Sequence, residues 1–162
     1  MSRAVIAFGA NLGDREATIA GAVRDLAEMS GVELVAISPI YETPALTDAG
    51  VDHDAPGYLN GVAIVETSTF TPHQLLAALH DIEASHGRQR LKHWGDRTLD
   101  LDLIDVDGLV IDDTGLQLPH PRAWQRAFVL QPWLDLDPDA VIPGRGRVAD
   151  LRAGAHDEVT RR

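Results

Sequence analysis

In the stretch RTLDLDLIDVD, Leu99, Leu101 and Leu103 alternate with Asp100 and Asp102. A period of two is that of a half-buried β-strand, with one face in the core and the other turned away from it. The leucines therefore require a sheet with something apolar packed on one side. Both carboxylates go to the other side, their Cα atoms about 6.6 Å apart on a strand rising about 3.3 Å per residue. Acids on the solvent face of an edge strand leave this pattern. So do two carboxylates that converge on a divalent cation or hold two cations near each other. Arg88, Arg90, Lys92 and Arg97 lie just upstream. Hard oxygen ligands beside a basic cluster suit Mg²⁺ carrying a polyphosphate.

The distribution of charge sharpens this reading. The formal net charge is -11 over 162 residues, which argues against a general nucleic-acid binder. No Lys or Arg occurs between Arg24 and Arg88. Six of the fourteen basic residues (Arg88, Arg90, Lys92, Arg97, Arg122 and Arg126) then flank the paired acids. An acidic chain that gathers its cations around one short stretch is expected to bind an anion there; a solvated face with local ion pairs is the plainer alternative. There is no cysteine, so disulfides, thiolate zinc sites and a cysteine nucleophile are excluded. No apolar run approaches membrane-spanning length, and a soluble cytoplasmic protein of one domain over residues 1–162 is expected.

In chain order, residues 4–8 read as a buried strand. Asp14 caps a helix whose stripe is Ile19, Ala22, Val23, Leu26 and Met29, stopped near Gly31. A second strand is expected over residues 32–41, with Pro39 marking an edge or a bulge. Residues 43–57 form a long loop, of the kind that is usually functional or mobile. A third strand covers residues 58–66, interrupted by Asn60 and Gly61, as at a bulge or a close approach of ligand. Thr71, Pro72 and Gln74 open a second helix as a capping box. Its stripe is Leu75, Leu76, Leu79 and Ile82, and Gly87 ends it. Glu83 opposes the dipole of its last turn, a cost that calls for a partner or ligand. Residues 98–106 form the fourth strand. Asp107-Gly108 is a hairpin turn, with residues 109–111 returning as a short edge strand. Pro121 opens a short helix, residues 128–130 pack on the core, and beyond Pro143 a loose tail is expected.

The order strand, helix, strand, strand, helix, strand is that of an α+β, ferredoxin-like βαββαβ fold: an antiparallel sheet with its helices on one face, here followed by a C-terminal hairpin and short helices. Fold alone does not define function. There is no P-loop, no protein-kinase motif set and no histidine pair at clean zinc spacing. A non-catalytic ferredoxin-like module that binds a small ligand would explain the fold and the net charge, but not the arginines around the acids. Trp94 among those arginines offers a wall for a flat ring or a surface for a guanidinium, or is a partly buried core aromatic.

RTLDLDLI at residues 97–104 resembles the signature of the 6-hydroxymethyl-7,8-dihydropterin pyrophosphokinase family of folate biosynthesis. FGANLGD, YETPAL, YLN and LPHPR resemble further motifs of that family in the same order. Asp96, His80, Gly115 and Pro121 depart from its pattern. The resemblance implies transfer of pyrophosphate from ATP to the pterin hydroxymethyl oxygen, with AMP leaving. It implies two Mg²⁺ ions on Asp100 and Asp102, and catalytic roles for Arg88, Arg90 and Arg97. Nucleotide contacts fall to Glu83, Arg90, Trp94, Arg97, Leu103, His120 and Arg126. The pterin is expected between Tyr58 and Phe128, with Trp94 beside it, and with Asn60 and the chain at Thr43, Pro44 and Leu46 reading its polar edge. A monomer acting on small molecules alone is expected, with no nucleic acid and no membrane.

Overall fold

The computed structural model describes residues 1–11, 13–47, 50–87 and 99–162. In chain order the elements are β1 (Ser2–Ala10), α1 (Arg15–Glu28), β2 (Val32–Ile37), β3 (Tyr41–Thr43), β4 (Ala45–Thr47), β5 (Gly50–Asp52), β6 (Tyr58–Thr67), α2 (Pro72–Gly87) and β7 (Asp100–Val106). There follow β8 (Ile111–Asp112), β9 (Gln117–Leu118), a 3-10 turn (Ala123–Gln125), α3 (Ala127–Leu136), β10 (Val141–Ile142), β11 (Gly146–Arg147), α4 (Val148–Gly154) and β12 (Thr160–Arg161).

The main sheet is antiparallel. β1 lies between β6 and β7, β6 takes both β2 and β3 on its far side, and β12 extends the sheet beyond β3. With β2 and β3 read as two pieces of one edge strand broken around Pro39, this is the expected ferredoxin-like order. The helix starts behave as their sequences dictate. The Asp14 carboxylate accepts the Ala17 N–H at 3.1 Å. The Thr71 N–H reaches the Gln74 side chain at 2.9 Å while the Gln74 N–H reaches the Thr71 hydroxyl at 3.2 Å, satisfying two donors that a helix end leaves open.

Two cores sandwich the sheet. The first joins α1 and α2 (Ile19, Leu26, Leu75, Leu79) to Leu99, Leu101 and Leu103. The second joins α3 and α4 (Val129, Leu130, Trp133, Val148) to Val5, Ala7, Val62 and Ile104. The two helices of the ferredoxin-like unit are on one face as expected. The opposite face is covered by the C-terminal helices over part of its length.

Four local expectations change. Residues 109–111 do not return along β7; Ile111 pairs instead with Leu118 in a separate hairpin of β8 and β9. Asp107 and Gly108 both have positive φ, 52° and 70°, so the turn forms but the chain leaves the sheet after it. The 43–57 loop contains a hairpin of β4 and β5. No bulge occurs at Asn60 and Gly61, since β1 and β6 pair without a break from Ser2–Thr67 to Ala10–Leu59. Gly61 is required because any side chain would strike the Phe8 ring, 2.4 Å from where its Cβ would lie. The chain beyond Pro143 is not a loose tail. Val148 is fully buried, β12 pairs with β3, and the Arg162 N–H donates to the Ile40 carbonyl at 2.9 Å. Most of its polar residues lie outward while a few apolar, backbone and charged groups dock, which composition cannot reveal.

Candidate active site

The site lies on the second face, beyond the point where α3 stops covering the sheet. Strand register builds its floor in two rows. Gly9 of β1 is opposite Asn60 on one side and Asp100 on the other. Ala7 is likewise opposite Val62 and Asp102. Partners in an antiparallel ladder project from the same face. The successive β1 residues on that face are Val5, Ala7 and Gly9, so the side chains shrink along the strand. Val5 and Ala7 belong to the second core, whereas at Gly9 the floor is bare backbone. The result is a hollow of about 620 Å³, within the range of small-molecule sites.

Asp100, Asp102, Arg126, Phe128, Tyr58, Asn60, Thr43 and Pro44 all line this hollow. Asn60 is only 6% exposed. Its amide nitrogen donates to the Thr43 hydroxyl at 3.2 Å and the Tyr58 carbonyl at 3.4 Å. Its Oδ1 lies over Gly9, 3.1 Å from where a Cβ on that glycine would stand. Phe128, in the first turn of α3, carries the Arg126 guanidinium over its ring at 5.6 Å. A cation held on an aromatic face keeps its charge while shedding part of its water.

A second cavity, of about 490 Å³, adjoins the first. Leu103, His120, Leu116 and Gly115 line it, and so does Asp102. The Asp102 carboxylate thus stands in the wall between the two cavities. The His120 Nδ1 accepts the Arg122 N–H at 3.2 Å, which assigns the ring proton to Nε2. Burial pushes the His120 pKa down, Asp102 opposes that shift, and Arg126 and Arg122 add to it. Below its ordinary value of 6.5, the ring is neutral at pH 7 and offers Nε2–H as a donor.

Glu83, expected beside the nucleotide, lines neither cavity. Its Oε2 accepts the Leu101 N–H at 2.8 Å. Leu101 lies between the two aspartates on β7, whose other edge is taken by β1. The carboxylate that opposed its own helix dipole therefore holds the strand backbone between Asp100 and Asp102. Leu46 lies on β4, opposite Val51. Arg88, Arg90, Trp94 and Arg97 lie outside the described residues.

Among the described residues, no group of three or more His, Cys, Asp and Glu side chains could hold a metal ion. Two carboxylates on one cavity wall nevertheless match the donor set of Mg²⁺, which retains water and is completed by substrate phosphates instead of an all-protein cage. Sequence reasoning missed Ala7 and Gly9, although the shrinking order Val5, Ala7, Gly9 was there to find. It also missed His156, Asp157 and Glu158, which line the larger cavity and carry no local signal.

A ferredoxin-like sheet with paired carboxylates in one cavity, one of them shared with an adjoining cavity, defines a class: an α+β enzyme fold equipped to bring two ligands together. Comparison with known proteins specifies it. The sequence pattern described as 7,8-dihydro-6-hydroxymethylpterin-pyrophosphokinase matches residues 5–138. The 2-amino-4-hydroxy-6-hydroxymethyldihydropteridine pyrophosphokinase of Methylorubrum extorquens is 41% identical over 144 residues, 89% of this chain and 88% of the relative. The protein of the same name from Pseudomonas aeruginosa is 37% identical over 153 residues, 94% of this chain and 91% of the relative. In fold, the chain is similar to a crystal structure titled HPPK-DHPS in complex with substrates, with a TM-score of 0.71 at 13% identity, over 95% of this chain and 45% of that one. A Plasmodium falciparum HPPK-DHPS structure gives 0.72 at 15% identity, over 94% and 44%. The chain belongs to the 7,8-dihydro-6-hydroxymethylpterin-pyrophosphokinase family, and with it to the enzymes of folate biosynthesis.

Proposed function

We propose that the two cavities take the two substrates of a Mg²⁺-dependent pyrophosphoryl transfer: 6-hydroxymethyl-7,8-dihydropterin in the larger, ATP in the smaller. The observation that carries this is Asp102, which faces both. In the reaction, the pterin hydroxymethyl oxygen bonds to the β-phosphorus. The bond from that phosphorus to the oxygen bridging the α-phosphate breaks, AMP leaves with the oxygen, and the proton of the hydroxymethyl group is released to solvent. Asp100 and Asp102 would hold the magnesium, two ions by family resemblance, and bound metal neutralises charge on the triphosphate and its transition state.

The remaining work is positioning. Phe128 and Tyr58 supply faces for a flat heterocycle. Asn60, its nitrogen committed to Thr43 and Tyr58, presents Oδ1 above Gly9 as an acceptor for a ring N–H. Arg126, set over Phe128, brings a cation to the side where the phosphates meet the alcohol. Neutral His120 offers Nε2–H to the nucleotide, with Leu103 beside it. Arg88, Arg90, Arg97 and Trp94 take catalytic and binding roles by resemblance alone. The enzyme so described acts on small molecules, as a monomer in the cytoplasm.

Calorimetry with MgATP, with and without the pterin, and turnover of Asp100→Ala and Asp102→Ala test the reading. Millimolar-or-tighter MgATP binding to the wild type and lost turnover in both folded variants are expected. Retained turnover in either variant refutes the metal assignment. No nucleotide binding at all would favour a non-catalytic ligand-binding module.

A further inference from the structure

The first turn of α3 carries two of the site's groups, Arg126 and Phe128, yet it has no cap of its own. Arg126 occupies the N-cap position and makes no capping hydrogen bond with its side chain. The Ala127 N–H behind it belongs to a residue with 0% exposure. A helix start leaves such donors without an intrahelical acceptor, and a buried one must find a partner. It finds Asp157, thirty positions onward in the C-terminal segment: both carboxylate oxygens accept from Ala127 N at 3.0 Å. A carboxylate there also suits the positive end of the helix dipole.

The same segment makes a second contact. Glu158 Oε2 lies 2.9 Å from Nε2 of His53, which follows β5 on the loop that brings Thr43 and Pro44 to the cavity. The segment itself is anchored on both sides. Before it, Arg152 Nη1 donates to the Ala155 carbonyl at 3.0 Å; after it, β12 pairs with β3. His156, Asp157 and Glu158 are moreover part of the wall of the larger cavity.

We infer that Asp157 is a positioning residue of the reaction, and that the C-terminal segment, through Asp157 on α3 and Glu158 on the 43–57 loop, sets the two walls of the pterin cavity against each other. This rests on the assignment of the larger cavity to the pterin. A helix cap is worth about a tenfold change in an equilibrium. That cap sits next to the aromatic face on which the ring would lie, so the effect reaches the ligand.

The test measures kcat, the KM values for pterin and for ATP, and equilibrium binding of 6-hydroxymethylpterin on Asp157→Ala, Asp157→Asn and Glu158→Gln, with Asp100→Ala alongside. Asp157→Ala is expected to raise the pterin KM and the pterin dissociation constant by about tenfold, and the ATP KM by less. Asparagine keeps an acceptor for the Ala127 N–H, so Asp157→Asn should recover pterin affinity to within about twofold. A purely structural role would lower the unfolding midpoint and leave the pterin constants of the folded protein unmoved; that result overturns the inference. If Asp157→Ala does not fold, Glu158→Gln carries the test, because it alters an exposed side chain. Pterin KM there should rise about twofold, and an unchanged value overturns the inference. Retained turnover in Asp100→Ala would sink the metal assignment while leaving the binding measurements on Asp157 able to stand.

Discussion

The two faces of β7 hold opposite kinds of residue at adjacent positions. Leu101 and Leu103, with Leu99 just before the strand, are all 3% exposed or less and share a core with α1 and α2. Asp100 and Asp102, one step along the backbone from them, stand half-buried in a cavity wall. On the first face every contact is made within the protein. On the second face, Ile104 is packed in the second core while Asp100 and Asp102 border an open cavity. Stability and chemistry are thus separable along a single strand, although the backbone between them is shared.

The most severe break of this contrast is Asp102→Ala. Turnover should fall by about a thousandfold or more, since a Lewis acid contributes several kcal/mol to the transition state. The unfolding midpoint should move little; a large drop would show that the second face also carries the fold. Leu101→Ala is the converse. Urea denaturation should reveal a loss of about 3 kcal/mol, with kcat of the folded fraction changed far less than in Asp102→Ala. Glu83→Ala addresses the backbone that joins the two faces. It should cost about 1–2 kcal/mol and also slow turnover, because the Leu101 N–H loses its acceptor and both aspartates shift with the strand. Glu83→Gln, which keeps an acceptor, should restore most of both.

The smallest effect concerns Asp105. The pairing of β7 with β1 slips near Val5 and Ile6, so Ile104 and Asp105 share the second face. Asp105 is buried there, with Oδ1 lacking any hydrogen-bond partner and Oδ2 accepting from the Gly108 N–H at 3.2 Å. Burial pushes its carboxyl pKa up. A folded value above the unfolded one means the folded state holds the proton more tightly. Stability then falls as pH rises from the ordinary carboxylate range through the raised folded value, and levels off above it. Asp105→Asn should flatten that slope and, near neutral pH, stabilise the protein by about 1 kcal/mol. Thermal melts from pH 4 to 8, at ~0.5-unit steps across the ordinary carboxylate range and above, provide the check.

Much of this arrangement was legible in the chain. The period of two in LDLDL announces a strand with a dry side and a charged side. Asp14 and the Thr71–Gln74 pair announce helix starts. The misplaced charge of Glu83 announces that it has a partner, though not that the partner is a backbone N–H on a neighbouring strand. The rest depended on contacts between distant positions. Asn60 and Gly61 look like a defect in β6 until Phe8 is seen to fill the gap. The polar residues after Pro143 look unattached until Asp157 is found at the start of α3. No local period encodes a hydrogen bond across thirty residues.

The shrinking side chains of β1 have a consequence for ligand choice. Val5, Ala7 and Gly9 act as a graded mould, and the step at which the protein stops and open space begins is decided by the last of them. A methyl group added at Gly9 would stand 3.1 Å from the Asn60 Oδ1, so enlarging that one position would press on the acceptor above it and retune how bulky a heterocycle fits.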